Sequence, residues 1–483
     1  MNRKMICYML GQIIKLEGTL MLLPMICSIV YREYDSMNAF AMTIIFALAV
    51  GFSVTALTRK CDRTVYAKEG FVITALAWIL LSAIGAAPFV ITGAIPNPVD
   101  AYFEVVSGFT TTGASILTEV ESLDKGLLFW RSFTHWIGGM GVIVLVMAIL
   151  PDNTGRAIHI MRAEMPGPIV DKITPKIHNT AKVLYLIYFG LTAVLLVLLL
   201  CGGMSFYDSL LHTFGTVGTG GFGIKNDSMA SYSPYLQWVI TIFMLISGVN
   251  FNLYYLILIR RWRQAVRSEE MWAYLGIVAA SAAVITANIA PMFETLGESI
   301  RHAAFQVASV VTTTGFATTD FDLWPNLSKA ILFLLMFMGG CAGSTAGGLK
   351  VSRLVMLVKM GRRELKQLLH PRAVNVIRFE GKPLDNATTR GVGTYFGLYC
   401  LCFMAFFFLL SFDPAAALDM ETNFTAVSAC FNNIGPGFAA VGPTSNFSVY
   451  SDFSTFLLSV AMLMGRLEIY PILLTFFPRK ITK

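Results

Sequence analysis

Long apolar stretches recur along the whole chain, and each is close to the length of a membrane-spanning helix. A helix needs about 20 apolar residues to cross a bilayer. Ten stretches meet that length, near residues 5–30, 37–57, 70–93, 127–150, 183–202, 236–259, 272–292, 329–358, 391–411 and 453–477. The pattern predicts an all-α integral membrane protein that crosses the lipid bilayer ten times.

Four of the connecting segments change character part-way along. Each starts as an apolar or amphipathic helix, becomes rich in Thr and Gly, and is too short to span the membrane twice. They lie at 93–127, 202–236, 292–329 and 411–453. A short helix followed by irregular returning backbone is typical of a re-entrant hairpin.

The Thr- and Gly-rich parts of these segments resemble one another. TTTG occurs twice, at 110–113 and 312–315, and FGTVGTGG and FNNIGPG are weaker copies. Their equivalent glycines are predicted to be Gly113, Gly220, Gly315 and Gly435. The sequence thus predicts four tandem repeats of span, half-helix, glycine turn and span around one axis. Two N-terminal helices in 1–66 precede the repeats, whose predicted bounds are 67–155, 156–268, 269–385 and 386–483.

Irregular backbone at membrane depth predicts a cation site. Unpaired carbonyl groups cannot face hydrocarbon, so the four turns must line an aqueous axis. Glycine permits the positive φ that turns successive carbonyls the same way. A ring of such carbonyl oxygens can replace the water shell of a monovalent cation.

The four half-helices are expected to favour cations as well, because their negative carboxyl ends point at this axis. An acidic residue lies near the outer start of each: Asp100, Asp208, Glu298 and Glu421. These acids suit a cation-attracting vestibule and a helix cap equally well.

The composition supports a membrane protein. Of the 483 residues 55% are hydrophobic and 13% charged, whereas a soluble protein carries about 25% charged residues. This composition excludes a disordered chain and a nucleic-acid partner. The 36 Lys and Arg residues concentrate in the termini and alternate loops, so the positive-inside rule predicts both termini in the cytoplasm.

The eighth apolar stretch is interrupted by GGCAGSTAGG at 339–348. Its five glycines disfavour a helix, by about 1 kcal/mol each relative to alanine. One interpretation is an irregular intramembrane loop that gates the pore, and the other is a glycine-rich face for tight helix packing. The predicted gate residues are Gly339, Gly340, Gly343, Ser344, Thr345, Gly347, Gly348, Lys350 and Arg466.

Arg466 lies within the last apolar stretch. A guanidinium at that depth costs at least about 2.5–3.5 kcal/mol, so it is not expected to face lipid. It is expected either to face the pore as a barrier to cations or to pair with Glu468 or a helix-terminal carbonyl.

Other candidate chemistry is sparse. His135 has no second ligand at metal-binding spacing, which favours a packing or hydrogen-bonding role. The sequence lacks GxxxxGK[ST] and GxGxxG motifs, so no nucleotide is expected to bind to this chain. The basic segment 359–382 suits a docking site for a regulatory partner or for lipid headgroups.

Seven motifs together resemble the pore subunits of the Trk/Ktr family of bacterial potassium transporters, in the TrkH-like branch with two extra N-terminal helices. They cover essentially the whole chain: SGFTTTGAS at 107–115, HWIGGMG at 135–141, GTGGF at 218–222, TTTGF at 312–316, GGCAGSTAGG at 339–348, NIGPG at 433–437 and GRLEI at 465–469.

The resemblance implies a pseudo-fourfold selectivity filter, a homodimer with one pore per protomer, and a separate TrkA-like cytoplasmic ring that binds ATP/ADP or NAD(H). It makes the four equivalent glycines filter residues, and glycine at the first position leans toward potassium. The implied potassium ligands are the backbone carbonyls of Thr111, Thr112, Gly113, Gly218, Thr219, Gly220, Thr313, Thr314, Gly315, Asn433, Ile434 and Gly435. Asn432, Asn433 and Ile434 depart from the family pattern and predict an asymmetric filter.

The expected function is potassium uptake across the bacterial inner membrane, driven mainly by the membrane potential. That potential supplies about 2.3 kcal/mol per charge per 100 mV. The alternatives are a sodium- or ammonium-permeable relative, the ion-binding subunit of an ATP-driven pump, and a polytopic membrane enzyme. An enzyme is disfavoured because the acids and histidines of the sequence are scattered.

Overall fold

A computed structural model describes residues 2–60, 67–141, 177–372, 375–413 and 418–476 of the chain. The backbone of these residues is mostly α-helical, and its two short strands form one hairpin. Residues 151–176 of one basic loop predicted to face the cytoplasm lie outside the described residues, as do residues 142–150 of the predicted span 127–150 and the C-terminal residues 477–483.

The two predicted N-terminal spans contain three helical segments. Helices α1 (Arg3–Leu20) and α2 (Leu22–Tyr31) together form one apolar span, and α3 (Tyr34–Leu57) forms the other. Helices α1 and α3 approach each other closely through Gly11 and Gly51, where an added methyl group would lie about 3 Å from the facing carbonyl oxygen. Helix α1 also packs on the first helix of repeat 1. The N-terminal unit therefore lies against the outside of the repeats.

Each repeat starts with a long outer helix and continues with a shorter pore helix. The outer helices are α4 (Ala67–Ile91), α7 (Ile177–Cys201), α12 (Glu269–Ile289) and α16 (Asn386–Leu410). The pore helices are α5 (Pro98–Phe109), α8 (Phe206–Gly218), α13 (Leu296–Val311) and α17 (Met420–Phe431). The pore helices are only 12 to 16 residues long, so they reach part-way through a bilayer.

A glycine turn and an inner helix follow each pore helix. The inner helices are α6 (Lys125–Gly139), α9 (Pro234–Ser247), α14 (Asn326–Met336) and α18 (Asp452–Arg466). The remaining elements are α10 (Phe251–Leu258), α11 (Trp262–Val266), α15 (Val351–Leu369), α19 (Tyr470–Phe476), β1 (Arg378–Phe379) and β2 (Lys382–Pro383). The predicted all-α fold with four pore-loop repeats and extra N-terminal helices is confirmed.

Six helices in the described part of the chain are long and apolar enough to cross a membrane, and two bent helix pairs raise that number to eight. These are eight of the ten predicted spans. Of the other two, 127–150 runs out of the described residues after α6. The stretch 329–358 contains most of α14, a non-helical loop and the start of α15.

Two predicted spans are bent where the sequence indicated a continuous helix. Helices α9 and α10 meet at 91°, and α18 and α19 meet at 117°. The Asn250 side chain starts α10 by accepting a 2.9 Å hydrogen bond from the backbone N–H of Asn252. Glu468 and Ile469 have φ values of 55° and 66°, which end α18. Neither residue type signals a left-handed backbone, so the second bend had no sequence cue.

Candidate functional site

Each pore helix begins at a polar cap whose side chain accepts a backbone N–H. The caps are Asn97, Ser205, Thr295 and Asp419. The acids Asp100, Asp208, Glu298 and Glu421 lie in the first turns instead, so the interpretation of these four as the capping residues is wrong. Hydrogen bonds from the side chain and backbone of Thr422 lower the pKa of Asp419, which keeps this exposed cap ionised.

The four turns after the pore helices share one backbone conformation. Their second residues, Thr111, Thr219, Thr313 and Asn433, have φ between 54° and 57°. The next backbone N–H in each turn bonds to the carbonyl five residues earlier, at 2.8–2.9 Å. A left-handed residue with a side chain costs about 1–3 kcal/mol, and such strain clusters at functional sites.

The conformation corrects the predicted alignment of the second repeat. Gly113, Gly315 and Gly435 have positive φ, and their counterpart in the second turn is Gly221, at 80°, rather than Gly220. Gly218 is the last residue of helix α8 and corresponds to Thr110. The adjacent glycines in GTGG made the sequence alignment ambiguous by one residue.

The four turns meet in a closed ring. A methyl group on Gly113 would collide with the carbonyl oxygen of Gly220 in the second turn. The same relationship joins Gly221 to Thr314 and Gly315 to Ile434. The last contact joins the fourth turn to the first, because a methyl group on Gly435 would lie 2.7 Å from the carbonyl oxygen of Thr112. Each turn therefore abuts the carbonyl of the next, in chain order around a single axis, and only glycine fits at these positions.

Side chains behind the turns follow the fourfold pattern less strictly. The Thr110 and Thr112 hydroxyls are 2.7 Å apart, and their counterparts in the third turn, Thr312 and Thr314, are 2.8 Å apart. In the fourth turn the Asn433 amide donates instead to the Thr112 hydroxyl of the neighbouring first turn, at 3.0 Å. The fourth turn thus keeps the backbone conformation but has different side-chain contacts.

His135 supports the second turn from behind. Its Nδ1 donates to the Gly108 carbonyl at 2.7 Å, and its Nε2 accepts the backbone N–H of Phe222 at 3.2 Å. These contacts define a neutral ring protonated on Nδ1. The predicted hydrogen-bonding role is confirmed, and no cluster of potential metal-binding side chains occurs in the described ranges.

A buried ion pair lies beside the segments that follow the first and second turns, and the sequence did not predict it. Arg131 Nε lies 2.5 Å from Glu104 Oε1, and both side chains are almost fully buried. Glu104 also accepts the backbone N–H of Ile116 at 2.9 Å, and Arg131 donates to the Gly223 carbonyl at 2.9 Å. Arg131 lies in the predicted span 127–150, and nothing near it in the sequence indicates Glu104 as its partner.

The glycine-rich segment between α14 and α15 is a loop directly beneath the ring. The backbone N–H of Gly347 donates to the Thr313 hydroxyl at 2.7 Å. A methyl group on Gly347 would lie 2.8 Å from the Asn432 carbonyl oxygen. The alternative of a glycine-rich helix face is therefore wrong, because residues 337–350 are not helical.

The loop is also hydrogen-bonded to the bend between α9 and α10. Phe251 donates its backbone N–H to the Gly343 carbonyl at 3.1 Å, and Cys341 donates to the Gly248 carbonyl at 2.8 Å. The Ser344 hydroxyl donates to the Cys341 carbonyl at 2.6 Å. Gly339 and Gly340 form the base of the loop with Leu349 and Val351, and Gly348 has a φ of 66°.

Two cationic side chains bind carbonyl groups of this loop. Lys350 Nζ donates to Ala346, and Arg466 donates to Thr345 at 2.8 Å. Arg466 also donates at 2.6 and 2.9 Å to the carbonyls of Gly138 and Gly139, at the end of α6. The predicted contact with helix-terminal carbonyls is confirmed.

Glu468, the other predicted partner of Arg466, has a bidentate contact elsewhere. Its carboxylate accepts hydrogen bonds of 2.6 and 2.5 Å from the two terminal nitrogens of Arg353, in helix α15. The Arg353 guanidinium also lies over the Tyr395 ring, 3.9 Å from its centroid. This arrangement links α15 to the bend between α18 and α19.

The similarity of this chain to known proteins extends over nearly its whole length. Residues 36–286 and 293–481 match the family model described as TrkH, cation transport protein. The chain belongs to the TrkH family. It is 37% identical, over 99% of both chains, to the Trk system potassium uptake protein TrkH of Escherichia coli K12. It is 35% identical to TrkG of the same strain, over 98% of this chain and 97% of TrkG.

A solved TrkH structure agrees with the fold. The crystal structure of the potassium transporter TrkH from Vibrio parahaemolyticus superposes with a TM-score of 0.89, at 33% identity and 99% coverage of both chains. Membership of this family confirms the predicted resemblance. It also confirms that the chain is a membrane transport protein and not an enzyme.

Proposed function

We propose that this chain takes up potassium ions through the ring formed by its four glycine turns. The observation that carries the proposal is the cyclic contact in which Gly113, Gly221, Gly315 and Gly435 each abut the carbonyl of the next turn. Four such turns supply quasi-equivalent oxygens around one axis. Relatives named as potassium uptake proteins support potassium as the cargo.

The proposed ligands are the backbone carbonyls of three residues in each turn. Gly221 replaces Gly218 in the set, since the second turn is shifted by one residue. The set is Thr111, Thr112, Gly113, Thr219, Gly220, Gly221, Thr313, Thr314, Gly315, Asn433, Ile434 and Gly435. Carbonyl dipoles can replace the hydration shell of potassium, and the negative ends of the four pore helices add to their field.

The glycine loop is the proposed gate. It touches the third turn through Gly347 and Thr313 and lies against the fourth turn at Asn432. Two positive side chains, Lys350 and Arg466, bind its carbonyl groups. The Arg466 guanidinium is a fixed positive charge, and such a charge beneath a cation site raises the barrier to permeation.

The driving force and cellular setting follow the family resemblance. We propose uptake driven by the inside-negative potential of a bacterial inner membrane, with both termini in the cytoplasm. A homodimer and a cytoplasmic nucleotide-binding ring complete the proposed assembly. Helix α15 continues from the gate loop and exposes Leu365, Leu368 and Leu369, which suits a docking surface for that ring.

The decisive test is ion flux into liposomes that contain the purified protein. Potassium, rubidium, sodium and ammonium fluxes are compared under an imposed negative potential inside. Faster potassium and rubidium uptake is expected, with loss of uptake in Gly113→Asp. Equal or faster sodium or ammonium flux would favour the permeable-relative alternative, and flux that needs ATP would favour the pump subunit.

Co-purification separates the regulatory alternatives. The full-length protein is extracted with mild detergent from its native membrane, and its partners and mass are determined. A nucleotide-binding ring and a dimeric pore chain are expected. Recovery with a P-type ATPase instead would contradict the proposed assembly.

A further inference from the structure

The buried carboxylate of Glu270 is hydrogen-bonded at both ends of residues 343–350, the later part of the glycine loop 337–350, and has no role in the proposed ion pathway. Glu270 lies in the first turn of helix α12, with 5% of its surface exposed. Its Oε1 accepts the backbone N–H of Ala342 at 2.7 Å and that of Ser352 at 3.0 Å. In the chain, Ala342 precedes residues 343–350 and Ser352 follows them. A single carboxylate oxygen therefore accepts hydrogen bonds from both ends of this part of the loop.

The same helix start is fixed by the cytoplasmic hairpin between β1 and β2. Glu380, in the turn of this hairpin, has a φ of 51°. Its Oε1 accepts the backbone N–H of Glu270 at 3.1 Å and the hydroxyl of Ser268 at 2.9 Å. The hairpin therefore positions the residue that holds the loop.

The hairpin also packs on helix α15, which follows the loop directly. Lys359 Nζ donates to the Arg378 carbonyl at 2.7 Å. Phe379 forms a small apolar cluster with Met356 and Val392, separate from the main core. The contacts make a closed circuit that runs from the loop through α15 and the hairpin to Glu270 and back to the loop.

We infer that Glu270 is a positioning residue that holds the glycine loop beneath the ring, and that the hairpin controls Glu270 through Glu380. A movement of the hairpin or of α15 must break at least one contact in the circuit. The loop then loses the hydrogen bonds of Ala342 and Ser352 to Glu270, while the hydrogen bond between Gly347 and Thr313 is not directly affected. The effect on transport rests on the proposed role of the loop as the gate.

Hydrogen exchange of the purified protein in lipid nanodiscs tests the positioning role without measuring transport. Glu270→Ala is expected to speed exchange at Ala342 and Ser352 by at least about tenfold, because a charge-assisted acceptor is lost. Glu270→Gln keeps the shape and one neutral acceptor oxygen, so a smaller increase is expected. Glu380→Ala is expected to give an intermediate increase.

Glu269→Ala is the matched control. Glu269 is the adjacent residue of the same helix, and its carboxylate pairs with Lys359. The loop amides of Ala342 and Ser352 bond to Glu270 instead, so this variant removes a charge at the same helix start without removing their acceptor. Exchange in the Glu270 variants no faster than in this control would overturn the inference. Faster exchange in Glu270→Ala with no change in Glu380→Ala would overturn the link to the hairpin.

Rubidium flux through the same variants in liposomes separates this inference from the proposed function. Faster flux in Glu270→Ala is expected if the loop is the gate. Faster exchange with unchanged flux supports the positioning role and overturns the gating role of the loop. The filter is tested independently by Gly113→Asp.

Discussion

The backbone N–H of Gly347 donates a 2.7 Å hydrogen bond to the hydroxyl of Thr313. Gly347 belongs to the glycine loop, and Thr313 is the left-handed residue of the third turn. The loop and the ring are therefore directly hydrogen-bonded, with no element between them.

Replacement of Thr313 by valine is expected to loosen the loop. Valine keeps the shape but removes the acceptor, and an unsatisfied buried N–H costs about 1–3 kcal/mol. We expect severalfold faster rubidium flux in liposomes. Thr111→Val is the matched control, because Thr111 has nearly the same φ and its hydroxyl has no partner among the described residues. Equal flux in the two variants would contradict the prediction.

The corrected alignment of the second turn predicts different behaviour for its two glycines. A methyl group on Gly221 would collide with the Thr314 backbone, whereas one on Gly220 would collide with the His135 ring. Both Gly→Ala variants are expected to lose most potassium flux. His135→Ala should partly restore Gly220→Ala but not Gly221→Ala, because a backbone collision cannot be relieved by trimming a side chain. Equal rescue would contradict the alignment.

Arg466→Ala is expected to raise cation flux. For an assumed separation of about 10 Å and an effective dielectric constant of 20, one positive charge raises the barrier to a monovalent cation by about 1–2 kcal/mol, so its removal is expected to raise the rate roughly tenfold. Arg466→Lys keeps the charge and should stay near the original flux. The measurement is potassium flux at fixed voltage; unchanged or slower flux in a folded Arg466→Ala protein would remove the barrier role.

The ion pair between Arg131 and Glu104 predicts a stability effect rather than a direct conduction effect. Removing one partner leaves a buried charge unpaired, at about 3–5 kcal/mol. Arg131→Met is therefore expected to lower the unfolding temperature of the detergent-solubilised protein, and Glu104→Gln in the same chain should recover part of the loss. A double variant less stable than Arg131→Met would contradict this account.

The sequence predicted the repeats and the ring because those features depend on local residue types. The positive φ of Gly113 and Gly315 needs glycine, and half-helix boundaries are marked by polar residues and apolar runs. The predicted alignment of the second turn is wrong by one residue because Gly220 and Gly221 are the same residue type. Only the backbone conformation distinguishes them.

Features that depend on distant contacts were not predictable. Glu104 and Arg131 are 27 residues apart, and Arg353 and Glu468 are 115 apart. Nothing near either residue indicates its partner. The bend at Glu468 also escaped prediction, because a left-handed glutamate is stabilised by surrounding structure and not by its own preference.

The contact between Gly435 and Thr112 joins the last repeat to the first. It is reinforced nearby, where Phe447 donates its backbone N–H to the Ser115 carbonyl at 2.8 Å. Repeat 1 is synthesised first and repeat 4 last, so these two contacts can form only after the fourth repeat has been made. A chain that ends after three repeats lacks both Gly435 and Phe447, so neither contact can form and the ring of turns does not close.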